Sequence, residues 1–546
     1  MQDRPWLQHY DQAVPTAIRY PQIPVTDLLD LPARVCPDKP ALTFLGQEMS
    51  FLDLRRQVIR MANSLAGLGI GKGDRVVLHL PNCPQYVIAY YATLLNGAIA
   101  VNANPLYTPH ELAYLAEETQ PRAMITFDMV LPNVHKLLER VEIESIVLTG
   151  VLDYAGGQPP GDLPAGWHSF RPLVDQGALA LPRVRVMPSD PAQIQFTGGT
   201  TGVPKGAVLT HANLIAGTYE CVYWGASIFN LVPPAERITM AVLPYFHAYG
   251  NIVVLNSSLL NCATQIVVPR FDPDEFMQVL AGFDRITFFP SVPTLIGAVV
   301  SHPRAAELGL DRKLGLLNSG AAPMPVELIA KIKDLGIMYG EGWGMSESTS
   351  LGCSNPIMGL KKDGSIGIPF PDADLRVVDL EGGTEEVQVG EPGELIMRGP
   401  LVMQGYWNAP EKTAEQMRDG WLYTGDVAIR DEDSYFFIVD RKKDMIIAGG
   451  YNVYPREIDE VLHEHPKVQM AVAVGVPDAY RGETVKAYVV LKEGQEATAD
   501  DIISFCRERL APYKAPKLVE FRSELPMSAV GKVLRRKLRE EEDAAQ

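Results

Sequence analysis

The sequence is poor in cysteine. Its 546 residues include six cysteines, and no two of them stand as a C-x-x-C pair. Scattered cysteines without that spacing argue against a cysteine-based zinc site and are typical of a reducing compartment. The N-terminus also lacks a basic segment followed by an apolar core, so we expect no signal peptide. These two absences predict a cytoplasmic protein.

Basic residues are also in deficit. The chain has 49 Lys and Arg against 66 Asp and Glu, a net charge of −17, which argues against a nucleic-acid partner. The charge is uneven, because residues 441–546 contain 18 basic and 18 acidic residues. The C-terminal part is therefore neutral, and this favours an anionic small-molecule partner there over the acidic body of the chain.

Long apolar runs are missing. The most apolar stretch, residues 86–101, is interrupted by Asn96 and Gly97 and is short for a membrane span. It predicts a buried helix followed by a strand, and we expect no integral membrane segment. A peripheral membrane contact and a homodimer both stay open.

The length predicts two or more domains. Helical and short apolar segments alternate up to about residue 189 and again over 238–338, which predicts parallel α/β sheets. Between residues 373 and 439 short strands and Gly-rich turns predict a small β subdomain. After residue 443 the pattern changes to an α+β domain. The predicted fold is α/β, with two α/β subdomains and a small β subdomain in the large domain, and an α+β C-terminal domain.

A Gly/Thr-rich loop, TGGTTGVPKG at residues 197–206, is the strongest motif. Its backbone N–H groups and hydroxyls can donate to phosphate, and Lys205 adds a positive charge. It is not a Walker A loop, because Lys205 stands between Pro204 and Gly206. A flexible turn between a strand and a helix is the alternative reading. Donors of two kinds beside a lysine favour the phosphate loop.

This loop resembles the signature loop of the adenylate-forming enzymes, which include acyl-CoA synthetases, peptide-synthetase adenylation domains and luciferases. Further stretches resemble the family's later motifs in the same order: YGEGWGMSE from Tyr339, GWLYTGD from Gly420, DRKKD from Asp440 and PMSAVGK from Pro526. Ser346 stands where threonine is more usual, and Tyr423 where relatives often carry histidine. Residues 104–109 and 419–447 are most similar to bacterial medium- and long-chain fatty acyl-CoA synthetases.

The resemblance implies an Mg²⁺-dependent enzyme with ATP and CoA as co-substrates and a carboxylic acid as the third. It implies catalytic roles for Lys532, Lys205, Glu347 and His247, with Glu347 as the Mg²⁺ ligand. It places the following residues at ATP or AMP: Thr197, Gly198, Gly199, Thr200, Thr201, Gly202, Gly320, Ala321, Ala322, Glu341, Gly342, Trp343, Gly344, Met345, Ser346, Asp426 and Arg441. Small side chains at Gly320, Ala321 and Ala322 would let a flat base lie against the backbone, and tight packing alone would also explain them. Taken singly, Asp426 also fits a turn residue, Lys532 and Arg441 fit solvated surface charges, and His247 fits a packed core residue.

The resemblance further implies a hinge. It divides the chain into a large domain, 1–440, a hinge, 441–443, centred on Lys443, and a small mobile domain, 444–546. Gly449, Gly450 and Tyr451 would border the CoA channel. Some relatives carry lysines where Ile447 and Gly449 stand, which puts those CoA contacts in doubt.

The acid is not readable from the motifs. We expect its pocket in residues 245–252, 290–294 and 342–349, and Trp343 either shortens that pocket or stacks on adenine. The interpretation that the resemblance favours is an AMP-forming acyl-CoA synthetase for a medium- or long-chain fatty acid. An acyl-AMP ligase that loads a carrier protein and an aryl or alicyclic acid–CoA ligase stay open. A nucleotide sensor without catalysis is disfavoured, because Lys532, Glu347 and Asp426 are all present.

Overall fold

The computed structural model describes residues 4–158, 161, 163–197, 204–448, 451–478, 482–528 and 531–545. The strands in this part are β1 Pro40–Phe44, β2 Gln47–Ser50, β3 Arg75–Leu78, β4 Ile99–Asn102, β5 Ala123–Phe127, β6 Ser145–Thr149, β7 Trp167–Ser169, β8 Pro191–Phe196, β9 Gly206–Thr210, β10 Ile238–Ala241, β11 Thr264–Val267, β12 Ile286–Ser291, β13 Leu314–Ser319 and β14 Tyr339–Trp343. They continue with β15 Cys353–Ser354, β16 Ile368–Pro369, β17 Asp374–Val378, β18 Gly393–Arg398, β19 Gly405–Tyr406, β20 Met417–Arg418, β21 Trp421–Arg430, β22 Phe436–Arg441, β23 Ile446–Ala448, β24 Tyr451–Val453, β25 Val468–Asp478, β26 Gly482–Leu491 and β27 Leu518–Phe521.

The α-helices of the same residues are α1 Asp30–Val35, α2 Phe51–Gly67, α3 Pro84–Leu95, α4 Pro109–Thr119, α5 Leu131–Leu138, α6 Phe170–Gln176, α7 His211–Trp224, α8 Ala226–Phe229, α9 Ser257–Leu260, α10 Pro273–Ala281, α11 Pro293–Val300, α12 Ala305–Leu308, α13 Leu310–Lys313, α14 Val326–Asp334, α15 Pro410–Gln416, α16 Pro455–His463, α17 Ala499–Arg507 and α18 Arg535–Ala545. A π-helical turn, Gly250–Asn256, precedes α9, and short 3₁₀ turns include Pro5–His9 and Ser346–Ser348. None of the helices described is long and apolar enough to cross a membrane.

Two large mixed sheets form the body of the protein. One has the order β16-β15-β14-β13-β12-β10-β11-β1-β2, and its strands from β14 to β1 run parallel. The other has the order β19-β9-β8-β4-β3-β5-β6-β7 and is parallel from β8 to β7. The parallel strands are buried runs, as expected for sheets covered on both faces. The predicted pair of α/β subdomains is confirmed.

Helix α3 joins these two sheets. It is buried almost throughout, and its first turn begins at Pro84, where a missing N–H costs nothing. Its tyrosines donate hydrogen bonds in both directions: Tyr90 reaches Gln193 of β8, and Tyr91 reaches Asn256 of the π-helical turn. The apolar stretch at residues 86–101 is thus the predicted buried helix followed by strand β4.

Two smaller sheets complete the fold. Antiparallel β17, β18, β21, β20 and β22 form the predicted β subdomain. The C-terminal part contains β24-β23-β26-β25, with β27 parallel to β26, and its own core beneath α16 and α17. The sequence predicted this separate α+β unit.

Candidate functional site

A cavity of about 1490 Å³ opens where the two large sheets, the β subdomain and the C-terminal part meet. Loops that follow β4, β8, β13 and β14 line it, and the C-terminal part contributes Ser528, Lys532 and Leu534. Residues from the family-like motifs, which are spread from 197 to 532 in the sequence, therefore line one cavity. The carboxyl ends of parallel strands are where ligands bind in α/β folds.

The described residues of the phosphate-loop motif, among them Thr197 and Lys205, line this cavity. The N–H of Thr197 donates to the carbonyl of Lys205 at 2.9 Å and closes the base of the loop. Gly198, Gly199, Thr200, Thr201 and Gly202 lie outside the described residues. The Lys205 ammonium lies 4.8 Å from the centre of the Tyr406 ring. Burial, and then the neighbouring charge of Lys443, lower the pKa of Lys205.

Glu347 lines the same cavity. It lies on the 3₁₀ turn Ser346–Ser348, is 7% exposed, and accepts a 2.7 Å hydrogen bond from the Tyr406 hydroxyl. Burial raises the pKa of its carboxyl. Thr349 and Ser350 follow with φ of 53° and 68°, a strained pair that reverses the chain directly after the turn. The reversal holds Ser346 and Glu347 on the cavity wall.

Asp426 is held by two partners. Its carboxylate pairs with the Arg441 guanidinium at 2.6 Å and accepts a 2.9 Å hydrogen bond from the Trp343 indole. Asp426 is 2% exposed, whereas Trp343 and Arg441 line the cavity. A Cβ at Gly352 would collide with the Trp343 ring, so only glycine there lets the indole lie flat. The three side chains form one polar wall.

The predicted adenine segment lies across from this wall. Gly320 and Ala321 line the cavity together with Gly342, Gly344 and Met345. Ala321 has a φ of 68°, an unusual value for a residue with a side chain. Ala322 does not line the cavity.

The Glu341 side chain does not line the cavity either. It accepts hydrogen bonds from the Tyr339 hydroxyl at 2.9 Å and from the Met324 N–H at 3.3 Å. Burial raises the pKa of Glu341 to about 7. Its carboxyl group therefore braces the strand β14, and any role beside a nucleotide would fall to its backbone.

His247 lines the cavity and is uncharged at neutral pH. Its Nδ1 accepts a 3.2 Å hydrogen bond from the Tyr249 N–H, and burial lowers the pKa of the ring to about 4. Tyr249 in turn packs against Gly320, where a Cβ would lie 3.0 Å from the tyrosine ring. His247 is therefore positioned by the same contacts that shape the wall at Gly320.

Lys532 enters the cavity from the C-terminal part. Its N–H donates to the Ser528 hydroxyl, and its carbonyl accepts from the Ser528 N–H. Gly531, with a φ of 69°, lies against Thr294 of the large domain. Burial, and then the nearby charge of Arg441, lower the pKa of Lys532 to about 8. The C-terminal part is thus docked with its lysine pointing at the polar wall.

Lys443 stands between two anchored residues. On one side, Lys442 donates its N–H to the Gly425 carbonyl and pairs with Glu394 at 2.8 Å. On the other, Asp444 pairs with Arg539 of α18 at 3.2 Å. Within the described contacts Lys443 has no ion pair. The N–H groups of Asp444 and Met445 also donate to the Arg441 carbonyl at 2.9 and 3.1 Å, so Lys443 lies within a short turn between the side-chain anchors of the two parts.

The predicted CoA segment is only partly described. Gly449 and Gly450, and the side chain of Tyr451, lie outside the described residues. Ile447, 52% exposed, pairs with Asn452 across the β23–β24 hairpin, and its N–H donates to Glu483 at 2.8 Å.

An apolar arm of the cavity was not predicted residue by residue. It is lined by Trp224, Phe229, Val253, Phe288, Ile357 and Phe370. Trp224 and Phe370 have ring centres 4.8 Å apart, and Phe229 and Phe288 5.9 Å. The expected segment 245–252 contributes to the cavity, but 290–294 does not. These aromatic residues are scattered along the chain without a regular spacing, so no motif groups them before the fold is known.

Together the docked lysine, the phosphate loop and the carboxylate–arginine wall have the arrangement expected of an adenylate-forming enzyme. The sequence profile of the AMP-binding enzyme family matches residues 29–407, and that of the AMP-binding enzyme C-terminal domain matches residues 457–532. The chain belongs to this family.

Curated relatives extend the match to the whole chain. A long-chain-fatty-acid–CoA ligase of Bacillus subtilis (strain 168) is 42% identical over 99% of this chain and 98% of its own. The ligase of the same name from Escherichia coli O157:H7 is 37% identical over 98% of both chains. The crystal structure of the anthranilate CoA ligase AuaEII in complex with anthranoyl-AMP matches with a TM-score of 0.86 at 27% identity, over 96% of this chain and 98% of its own. The prediction of an adenylate-forming ligase of the acyl-CoA synthetase type is confirmed.

Proposed function

We propose that the protein joins an unbranched medium- or long-chain fatty acid to CoA at the expense of ATP. The observation that carries the proposal is the apolar arm, which opens from the same cavity as the phosphate loop and Lys532. Two curated relatives named long-chain-fatty-acid–CoA ligase support it. We place this reaction in the reducing cytoplasm, in keeping with six free cysteines, all in the described residues.

In the first half-reaction, an oxygen of the fatty-acid carboxylate attacks the α-phosphorus of ATP. The bond from that phosphorus to the bridging oxygen breaks, and pyrophosphate leaves with the electron pair. We assign Lys532 to the charge that develops between carboxylate and α-phosphate, and Thr197–Lys205 backbone and side-chain donors to the triphosphate. Asp426 would accept the ribose hydroxyls, with Arg441 and Trp343 fixing its orientation. Gly320 and Ala321 would lie against adenine.

Glu347 fits the role of Mg²⁺ ligand. The described residues contain no group of three or more His, Cys, Asp or Glu side chains that could hold a metal. A single carboxylate is what Mg²⁺ uses when phosphate oxygens and water complete its shell. When bound, the Mg²⁺ ion would neutralise negative charge on the phosphates. The Tyr406 hydroxyl holds one Glu347 oxygen and leaves the other for it.

In the second half-reaction the CoA sulfur, as thiolate, attacks the acyl carbonyl carbon and AMP leaves with its oxygen. We propose that the C-terminal part turns about Lys443 between the two steps, withdrawing Lys532 and presenting the segment from residue 447 onward. His247, uncharged and beside Tyr249, would contact the acyl carbonyl region and would not act as a general base.

An aryl acid is the second candidate, since AuaEII was crystallised with anthranoyl-AMP. The geometry of Trp343 favours the fatty acid, because its indole is fixed at the nucleotide end by the hydrogen bond to Asp426 and is not free to cap the apolar arm. Pyrophosphate release, measured over acids from butyrate to palmitate and over benzoates, with and without CoA, tests the proposal. We expect turnover to rise with chain length until the arm is filled. Preference for benzoates with a flat length series would overturn it.

A further inference from the structure

Residues 4–24, called here the N-terminal strap, precede the first helix. They lie outside the family profile, which begins at residue 29. Apolar side chains of the strap are buried against the protein: Trp6 is 5% and Val14 is 7% exposed. Some of its contacts fall on residues that line the apolar arm or adjoin its lining residues, whereas Arg4 pairs with Asp374, which does not line the cavity.

Asp11 makes the densest set of these contacts. Its carboxylate accepts hydrogen bonds from three successive backbone N–H groups, those of Ile357, Met358 and Gly359, at 2.7–3.2 Å. It also accepts one from the Ser227 hydroxyl at 3.2 Å. Asp11 is 7% exposed. A buried carboxylate bound by several N–H groups fixes a loop strongly, because each bond to a charged group is worth more than a neutral one.

These partners belong to both sides of the apolar arm. Ile357 lines it directly, whereas Met358, next along the chain, is 60% exposed and faces outward. Ser227 lies on α8, which ends at Phe229, another lining residue. One side chain on the strap therefore ties together two walls of the arm from outside.

Tyr10 reinforces the same region. Its ring meets the lining residue Trp224 edge-on, with centres 5.3 Å apart. Its hydroxyl donates to the carbonyl of Pro369 at 2.7 Å, directly before the lining residue Phe370. Trp224 is also held by a hydrogen bond from its indole to the carbonyl of Asn355. The strap thus braces Trp224, Ile357 and Phe370.

We propose that the strap, through Asp11 and Tyr10, is a specificity element that fixes the outer wall of the apolar arm and sets the acyl chain lengths the enzyme accepts. This inference rests on the proposed function. Asp11 and Tyr10 act through the wall residues and touch no substrate, so both are positioning residues. Long acids, which reach the wall, depend on the strap, and short acids do not.

The test uses Asp11→Asn in the full-length protein. Asparagine has nearly the same volume, but its NH₂ replaces an accepting oxygen and opposes the backbone N–H groups. Tyr10→Phe keeps the ring against Trp224 and removes the bond to Pro369. Arg4→Ala is the matched control, because it cuts another strap contact, to Asp374 at 2.8 Å, at a residue that does not line the cavity.

The readouts are kcat/KM from butyrate to palmitate, KM for ATP, and Tm. For Asp11→Asn we expect kcat/KM for the longest accepted acids to fall about tenfold, with butyrate changed less than about twofold, as for a pocket that loses contact with two or so methylenes. Tyr10→Phe should show the same pattern more weakly. Arg4→Ala should leave the length profile unchanged. An equal fall at every length, or the same profile change in Arg4→Ala, would reduce the strap to a stability role and overturn the inference.

Failure of the proposed function would look different. It would appear in the wild-type protein, as no dependence on chain length. In that case the same variants are compared on benzoates with graded para-alkyl chains, where loss confined to the longer substituents supports the strap and uniform loss rejects it.

Discussion

The nucleotide end and the apolar arm share one cavity but are built by different physics. The nucleotide end uses directed contacts: the Asp426–Arg441 pair, the Trp343 indole, the Glu347–Tyr406 bond and a docked lysine. The apolar arm uses aromatic and aliphatic packing, which has no preferred direction. Loss of one contact at the nucleotide end should therefore lower activity strongly for every substrate. Loss of one contact in the apolar arm should lower activity slightly, by an amount that depends on the size of the acid.

The largest expected effect is at Lys532. We expect Lys532→Ala to lower acyl-adenylate formation by about two to three decades, or roughly 3–4 kcal/mol, because a charge on the developing transition state is lost. Thioester formation from supplied acyl-adenylate should be spared. Pyrophosphate release and CoA consumption, measured separately, check this, with the exposed Lys517→Ala as control. Equal loss of both half-reactions would mean that Lys532 serves both or neither.

The next effect is at Lys443. We expect Lys443→Pro to lower overall thioester synthesis roughly a hundredfold, since proline fixes φ near −65° and restricts the preceding residue, while adenylation stays largely intact. No described contact uses the Lys443 N–H, so its loss costs no hydrogen bond. Lys443→Ala, which keeps the backbone free, is the control. Near-normal thioester synthesis in the proline variant would show that rotation occurs elsewhere.

Trp343→Phe sharpens the contrast between the two ends. It removes the indole N–H from Asp426, a hydrogen bond to a charged group worth about 1.5–3 kcal/mol, so we expect KM for ATP to rise roughly ten- to a hundredfold. The dependence on acid chain length should not change. Initial rates over ATP concentration and over the acid series give both quantities. A changed length profile would instead place the indole in the apolar arm.

The pKa of Lys532 predicts a pH dependence at the nucleotide end alone. Burial lowers that pKa to about 8, and the charged form is the active one, so the activity is present below this pH and is lost above it. We expect kcat/KM for ATP to fall about tenfold per unit once the pH exceeds the pKa, since kcat/KM reports the free enzyme. Lys532→Arg, whose side chain stays charged, should be slower but flat. If kcat/KM of the Lys532→Arg variant still falls at high pH, the fall belongs to another titrating group.

The smallest effect is expected in the apolar arm. Phe229→Leu should enlarge the arm and move the preferred acid to a longer one, with a gain of about fourfold for each added methylene that the new space accepts, or roughly 0.8 kcal/mol. KM for ATP should not change. A competition assay with two acids of neighbouring length measures the shift, and an unchanged preference would show that Phe229 does not limit the chain.

The same contrast explains what could be predicted. The nucleotide end uses short motifs, so Lys532, Asp426, Trp343 and Arg441 could be named before the structure, and so could the buried helix α3. Tyr406 could not, because it reaches Glu347 only through the pairing of β19 with β9. The wall residues Phe229 and Ile357 are far apart in sequence, and they line one cavity only in the folded chain. Roles assigned by resemblance, including the domain boundaries, stay predictions.

The contacts around Lys443 bear on the free-energy difference between the docked arrangement of the C-terminal part and the arrangement proposed for the second half-reaction. In the turn proposed above, torsion at Lys443 would move the C-terminal part, because Lys442 pairs with Glu394 and Asp444 pairs with Arg539 on opposite sides of that residue. That proposed turn would release Arg456, whose N–H donates to Asp440 at 2.7 Å and whose guanidinium donates to the Ile438 carbonyl at 2.5 Å. With the N–H groups of Asp444 and Met445, which donate to the Arg441 carbonyl, these bonds form a latch that would oppose the proposed turn. A latch of a few hydrogen bonds is weak enough for exchange of one substrate for the next to tip the balance.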